Sequence, residues 1–144
     1  MLKMSQADYD LIRQEAEQSY PRESCGILLG ISSDGCRNVN SIIQCDNADP
    51  EPLRRYTIDP KQVIAAFKLA RSRNQDIIGF YHSHPDHPAQ FSDTDLAEAY
   101  WQDCSYVITS VNHGRAAQTK SFVLTGWDES RNFVEERIEV LSKL

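Results

Sequence analysis

The chain has 144 residues with 21 acidic against 15 basic side chains, a formal charge of -6, and a length suited to one domain with one core over residues 1–144. An acidic balance without a basic run disfavours a phosphate backbone as partner, so nucleic-acid binding is not expected. No segment offers the roughly 20 apolar residues of a membrane span, and Met1 to Tyr20 lacks a signal peptide's apolar block, so the expectation is a cytoplasmic protein with no membrane partner.

Leu2 to Met4 reads as a short strand. Ser5-x-x-Asp8 is a helix-entry pattern and Pro21 cannot continue a helix, so the spacing predicts a helix from Gln6 to Ser19. Ser24 to Ile31 is a buried strand, and the turn Ser32 to Gly35 feeds a second strand from Cys36 to Cys45. Asn47 to Leu53 is a loop and Tyr56-Thr57-Ile58 a brief strand. Asp59-Pro60 then caps a helix from Pro60 to Arg73, with Val63, Ile64, Phe67 and Ala70 on one face. Ile77 to His84 is a strand, apolar on both faces at its start, as a central position requires. After the loop Pro85 to Phe91 comes a helix from Ser92 to Gln102, then strands near Tyr106 to Val111, Ser121 to Leu124 and Phe133 to Val140. Strands and helices interleave without strict alternation, which predicts an α/β fold with a mixed sheet flanked by helices. Cys25, Cys36, Cys45 and Cys104 show no C-x-x-C spacing and are expected to be structural thiols.

The chemistry lies at the end of the Ile77 to His84 strand. Side chains two residues apart on a strand point to one face, so His82 and His84 can converge on one ion. A strand–loop–helix return can bring Asp95, eleven residues after His84, back over the pair as a third ligand. Two imidazoles and one carboxylate suit zinc better than magnesium or calcium, and three protein ligands leave a fourth position open, as in catalytic sites. Glu23, ahead of Cys25-Gly26 at the start of a buried strand, is the candidate base, and Gly26 would permit close backbone approach. Ser92-x-x-Asp95 also fits a helix-capping pattern, which by itself would account for both residues. His87 and His113 are read as surface residues, and Phe91 and Trp101 as packing.

Glu23, then His82-Ser83-His84-Pro85 and Ser92-x-x-Asp95, resembles the JAMM signature of the MPN+ zinc metalloproteases, E…H-[ST]-H-P-x(6)-S-x-x-D, with every position occupied. The resemblance implies a deaminase-like sandwich of one curved mixed sheet and flanking helices. It implies zinc held by His82, His84 and Asp95, Glu23 as general acid and base on the water, and Ser92 as donor to the oxyanion, with Ser83 structural. The short connections at Asn47 to Arg55 and Asn112 to Lys120 leave no room for ubiquitin-gripping insertions and are similar to the compact prokaryotic members. Some of these act at the C-terminal glycine of a ubiquitin-like sulfur-carrier protein, including release of cysteine, which makes such a carrier the expected substrate. Two other readings stay open: a metal-free MPN scaffold or binding module, and a zinc hydrolase of small amides. The deaminase pattern H-x-E with P-C-x-x-C is absent.

Overall fold

A computed structural model describes residues 1–142. In chain order the elements are β1 (Leu2–Ser5), α1 (Gln6–Ser19), β2 (Cys25–Ser33), β3 (Cys36–Cys45), α2 (Pro60–Ser72), β4 (Asp76–Pro85), α3 (Asp93–Ala97), β5 (Ser105–Asn112), β6 (Arg115–Thr125), β7 (Asn132–Glu136) and β8 (Ile138–Leu141). All eight strands join one sheet in the order β7-β6-β5-β4-β2-β3-β1-β8. The sheet is mixed: β1 runs parallel to β3 and β8, and β4 parallel to β5, while the remaining pairs are antiparallel. β7 and β8 lie at opposite ends of this order although only Arg137 separates them, so the sheet must curl until its two edges meet. Glu136 closes the seam, accepting hydrogen bonds from Ser105 and Ser121 of β5 and β6 and pairing with Arg37 of β3. The expected curved α/β sheet is therefore present. The single strand expected over Phe133 to Val140 is two short ones, because its residues form both edges, β7 beside β6 and β8 beside β1.

The two faces bury separate cores. On one, α1 lays Ile12 over Leu2, Met4, Leu28, Ile78, Tyr81 and Val107, and Ala16 of the same helix is also buried; full burial of Ile12 alone contributes roughly 1.5–3 kcal/mol. Ser5 starts this helix, its hydroxyl accepting the Asp8 N–H at 3.1 Å. On the other face, Ile27, Leu29, Phe80, Tyr106, Ile108, Phe122 and Phe133 form one core with Ala66 and Ala70 of α2. The expected face of α2 is rotated: Ala66 and Ala70 are buried with Val63 and Leu69 beside them, while Ile64 and Phe67 are exposed. Alanine at the contact lets the helix approach the sheet more closely than a stripe of large side chains would. Tyr56-Thr57-Ile58 is not a strand but an irregular segment packed on this second core.

The helix expected to reach Gln102 stops at Ala97. Beyond it, backbone groups find tertiary partners instead of a further turn: Arg131 donates to the Ala99 carbonyl at 2.7 Å, and the Trp101 N–H donates to the Tyr106 hydroxyl at 3.1 Å. Trp101 meets Phe80 edge-on while staying 40% exposed, and half-buried Phe91 packs against Phe122 and Phe133. No helix among the described residues is long and apolar enough to cross a membrane.

Of the glycines set by close approach, Gly26 and Gly79 lie in the two strands that carry the site. A Cβ on Gly26 would meet the Tyr81 ring at 2.1 Å, so the aromatic side chain opposite, whose hydroxyl bonds buried Glu15, requires glycine there. A Cβ on Gly79 would lie 2.3 Å from the Ser105 carbonyl oxygen of the adjacent parallel strand. Gly79→Ala should therefore force β4 and β5 apart and destabilise the fold by roughly 1–3 kcal/mol. Urea unfolding measures this, and an unchanged midpoint would show that the two strands can separate at no cost.

Candidate metal centre

β4 is central, with β2 antiparallel on one side and β5 parallel on the other, and its last residues carry His82 and His84 on the face that packs under α2. Both are buried, and their Nε2 atoms are 3.1 Å apart. Tyr56 stacks on the His82 ring at 4.4 Å between centroids. The His84 Nδ1 lies 2.9 Å from the Pro88 carbonyl, so an Nδ1–H donates there and Nε2 presents its lone pair to the centre.

Asp95 sits in the first turn of α3. Its N–H donates to Ser92 Oγ at 3.0 Å, and its Oδ2 accepts the Ser92 N–H at 2.9 Å, a complete capping box. The same carboxylate faces the histidines, with Oδ1 3.3 Å from His82 Nε2 and Oδ2 3.0 Å from His84 Nε2. Capping and contact with the imidazoles thus coexist, and the cap is what aims the carboxylate.

One ligand atom from each of His82, His84 and Asp95 lies within 4.8 Å of the others, a group that could hold a metal ion. For a tetrahedral ion with bonds of about 2.0–2.1 Å, ligand atoms sit about 3.3 Å apart; the two Nε2 atoms at 3.1 Å are close to that spacing, and the two Asp95 oxygens each lie at 3.0–3.3 Å from one of them. Burial and mutual contact set the protonation of the three side chains, His82 and Asp95 towards the forms that bind a cation and His84 towards holding a proton that a cation would displace. Burial lowers the His82 pKa, outweighing the pull of Asp95, so this imidazole is neutral. Burial acts on His84 in the same direction but is overcome by the hydrogen bond and charge of Asp95, which raise its pKa. Burial would raise the Asp95 pKa too, yet the two histidines and the Ser92 N–H hold it far below the usual carboxylate range. An anionic carboxylate and two imidazole nitrogens crowded this closely make a donor set that fits zinc.

Glu23 reaches the same place through strand register. Cys25 opposes His82 in the β2–β4 pair, and continuing that pairing by two residues sets Glu23 opposite His84. Ser83, on the other face, secures the alignment: its Oγ accepts the Ser24 N–H at 2.7 Å, and its own N–H donates to the Ser24 carbonyl. Glu23 is only 6 % exposed, and its Oε1 has no hydrogen-bond partner among the described residues. Burial pushes its pKa up to about 8; His84 opposes this, while Asp95, Asp49 and Glu98 add to it.

A residue that sequence reasoning passed over, Asn47, holds this corner together. Its amide donates to the carbonyls of Glu23 and Arg55 at 3.1 and 2.8 Å, and its Oδ1 accepts the N–H groups of Asp49 and Thr57. The available signal was its type, since asparagine in a proline-containing acidic loop commonly ties down backbone. The cleft that opens on the centre has a volume of about 350 Å³ and is lined by Glu23, Arg54, His84, His87, Ser92 and Thr94, among others. His113 is exposed and is not among the lining residues; its N–H donates to Asp86 Oδ1 at 2.8 Å.

Residues 5–125 match the family described as prokaryotic homologs of the JAB domain. The chain belongs to that family. Among curated relatives, this JAB-domain chain is 35% identical over 98 residues to "Desampylase" of Haloferax volcanii, covering 68% of this chain and 69% of the relative. It is 34% identical over 96 residues to the "Probable TtuB-protein conjugate cleaving protease" of Thermus thermophilus, covering 67% of this chain and 61% of that protein. It is 26% identical over 124 residues to the "CysO-cysteine peptidase" of Mycobacterium tuberculosis, covering 84% and 83%. The solution structure of a Desulfitobacterium hafniense protein superposes with a TM-score of 0.85 at 28% identity, covering 100% of this chain and 95% of that one. A Salinibacter ruber protein superposes at 0.73 with 36% identity, covering 96% and 91%. The JAB-domain chain is thus a compact prokaryotic JAMM-like protein, as its motif predicted.

Proposed function

We propose that this chain is a single-domain zinc peptidase or isopeptidase that cleaves at the C-terminal glycine of a ubiquitin-like sulfur-carrier protein in the cytoplasm. The observation that carries the reading is the His82–His84–Asp95 donor group with a buried Glu23 carboxylate oxygen beside it that has no hydrogen-bond partner among the described residues. The names of the relatives, a TtuB-conjugate protease and a CysO-cysteine peptidase, support the choice of substrate.

When bound, zinc supplies a Lewis acid for the scissile carbonyl and makes water more acidic. Glu23 takes a proton from the attacking water and passes it to the leaving nitrogen as the C–N bond breaks, giving a carboxylate and an amine. A group that both accepts and returns a proton needs a pKa near neutrality, and positive charge at the donor group brings Glu23 down from about 8 towards that value. Ser92 donates its hydroxyl proton to the developing oxyanion; its oxygen lone pair is engaged by the Asp95 N–H, which orients the hydroxyl and leaves its proton free.

Incubating the zinc-loaded protein with a carrier that bears one residue beyond its terminal glycine, and weighing the product, tests the proposal. Trimming back to glycine is expected, its loss on chelation, and its return with added zinc. Trimming that survives chelation would overturn the zinc assignment. An untouched carrier alongside hydrolysis of small amides would overturn the substrate.

A further inference from the structure

Among the residues lining the cleft, Arg54 carries the one permanent positive charge. Its neighbour Arg55 is consumed by Glu98 and Asp49. The Arg54 guanidinium makes no hydrogen bond or ion pair among the described residues, where only its backbone N–H is engaged, with Glu51. We infer that Arg54 binds the free α-carboxylate of the residue that leaves, so that the preferred substrates are carriers extended by a C-terminal amino acid and not carriers joined through a lysine side chain. The inference rests on the peptidase reading above and specifies the leaving side of its substrate.

The placement follows from the loop. The Glu23 N–H donates to the Pro52 carbonyl at 2.8 Å, and Asn47 bridges the Glu23 and Arg55 carbonyls, so the turn Glu51 to Arg55 is fastened to the backbone of the proton donor itself. Glu23 gives its proton to the departing amine, which puts that amine on Glu23's side of the cleft. In an α-amino acid the carboxylate stands one carbon beyond the amine, within the span of an arginine side chain anchored next to Glu23. A guanidinium matches a carboxylate with two parallel N–H bonds. In a lysine isopeptide the leaving nitrogen is separated from its own backbone by four methylenes, and that backbone continues as peptide on both sides, so it offers no carboxylate here. The net charge of -6 opposes the approach of a free carboxylate, and Arg54 offsets that repulsion locally.

Two measurements test this. The first compares cleavage of a carrier ending in Gly-Ala with the same carrier ending in Gly-Ala-amide. Wild type should favour the acid by roughly 10- to 100-fold in kcat/KM, and Arg54→Gln, with zinc content unchanged, should fall on the acid to the level of the amide. The second measures binding of the tripeptides Gly-Gly-Ala and Gly-Gly-Ala-amide to the zinc-loaded protein by NMR titration, with Glu23→Gln as background so that no turnover intervenes. The acid should bind more tightly, and adding Arg54→Gln should erase the difference. Equal handling of acid and amide by wild type, or a preference that survives Arg54→Gln, overturns the assignment. If tripeptide binding shows the preference while neither carrier is cleaved, the carrier reading fails and the carboxylate site stands.

Discussion

Glu23→Gln should keep its zinc and lose roughly 10²–10⁴-fold in cleavage rate, the contribution expected of a positioned acid–base group. Glutamine has the same shape and is neutral, so it fills the site without accepting a proton. The replacement breaks no hydrogen bond at Oε1, which has none in the described structure, and the Glu23 backbone stays tied to Pro52 and Asn47. The same variant separates an acid–base role from a structural one through pH. In the metal-free protein the Glu23 pKa lies at about 8, above its ordinary 4.5, so the folded state holds a proton that the unfolded chain releases. Wild type therefore loses stability as pH rises from about 4.5 to about 8, and Gln at this position does not. Metal-free Glu23→Gln should unfold at a higher temperature than metal-free wild type at pH 8, and at a similar one at pH 4. Retained cleavage would remove Glu23 from the chemistry. Lost zinc would make it a ligand.

Asp95→Asn should lose more than about 100-fold in zinc affinity, and cleavage with it, while α3 remains folded. Asparagine can still accept the Ser92 N–H, so the cap survives in part. It cannot supply the anionic oxygen that faces both imidazoles. Two histidines on one strand end then stand alone, a donor set too small to hold zinc at cellular concentrations. Competition with a zinc-binding dye measures the change. Wild-type affinity in the variant would show that Asp95 serves α3 alone.

The fold was legible where local chemistry decides it. The Ser5 cap and Pro21 bound α1, Asp59-Pro60 starts α2, and period two on β4 puts His82 and His84 together. It was not legible where partners distant in the chain decide. Nothing local says that Phe133 and Val140 belong to opposite edges of the sheet, since a strand's own pattern names a buried face and not a neighbour. Arg131 and Tyr106 end α3 early by claiming the backbone around Ala99 and Trp101, and neither lies in the helix. At the site, the motif's spacing led to His82, His84 and Asp95, which the structure brings together. Asn47 and Arg54 take their places from the path of one loop, which no spacing rule encodes.

X-ray absorption at the zinc edge of the purified protein examines the metal shell itself. Two histidine nitrogens, one carboxylate oxygen and one exchangeable oxygen, with no sulfur, is the shell that His82, His84 and Asp95 would build. A shell containing thiolate sulfur, or one closed by four protein ligands, would contradict a hydrolytic centre at the end of β4.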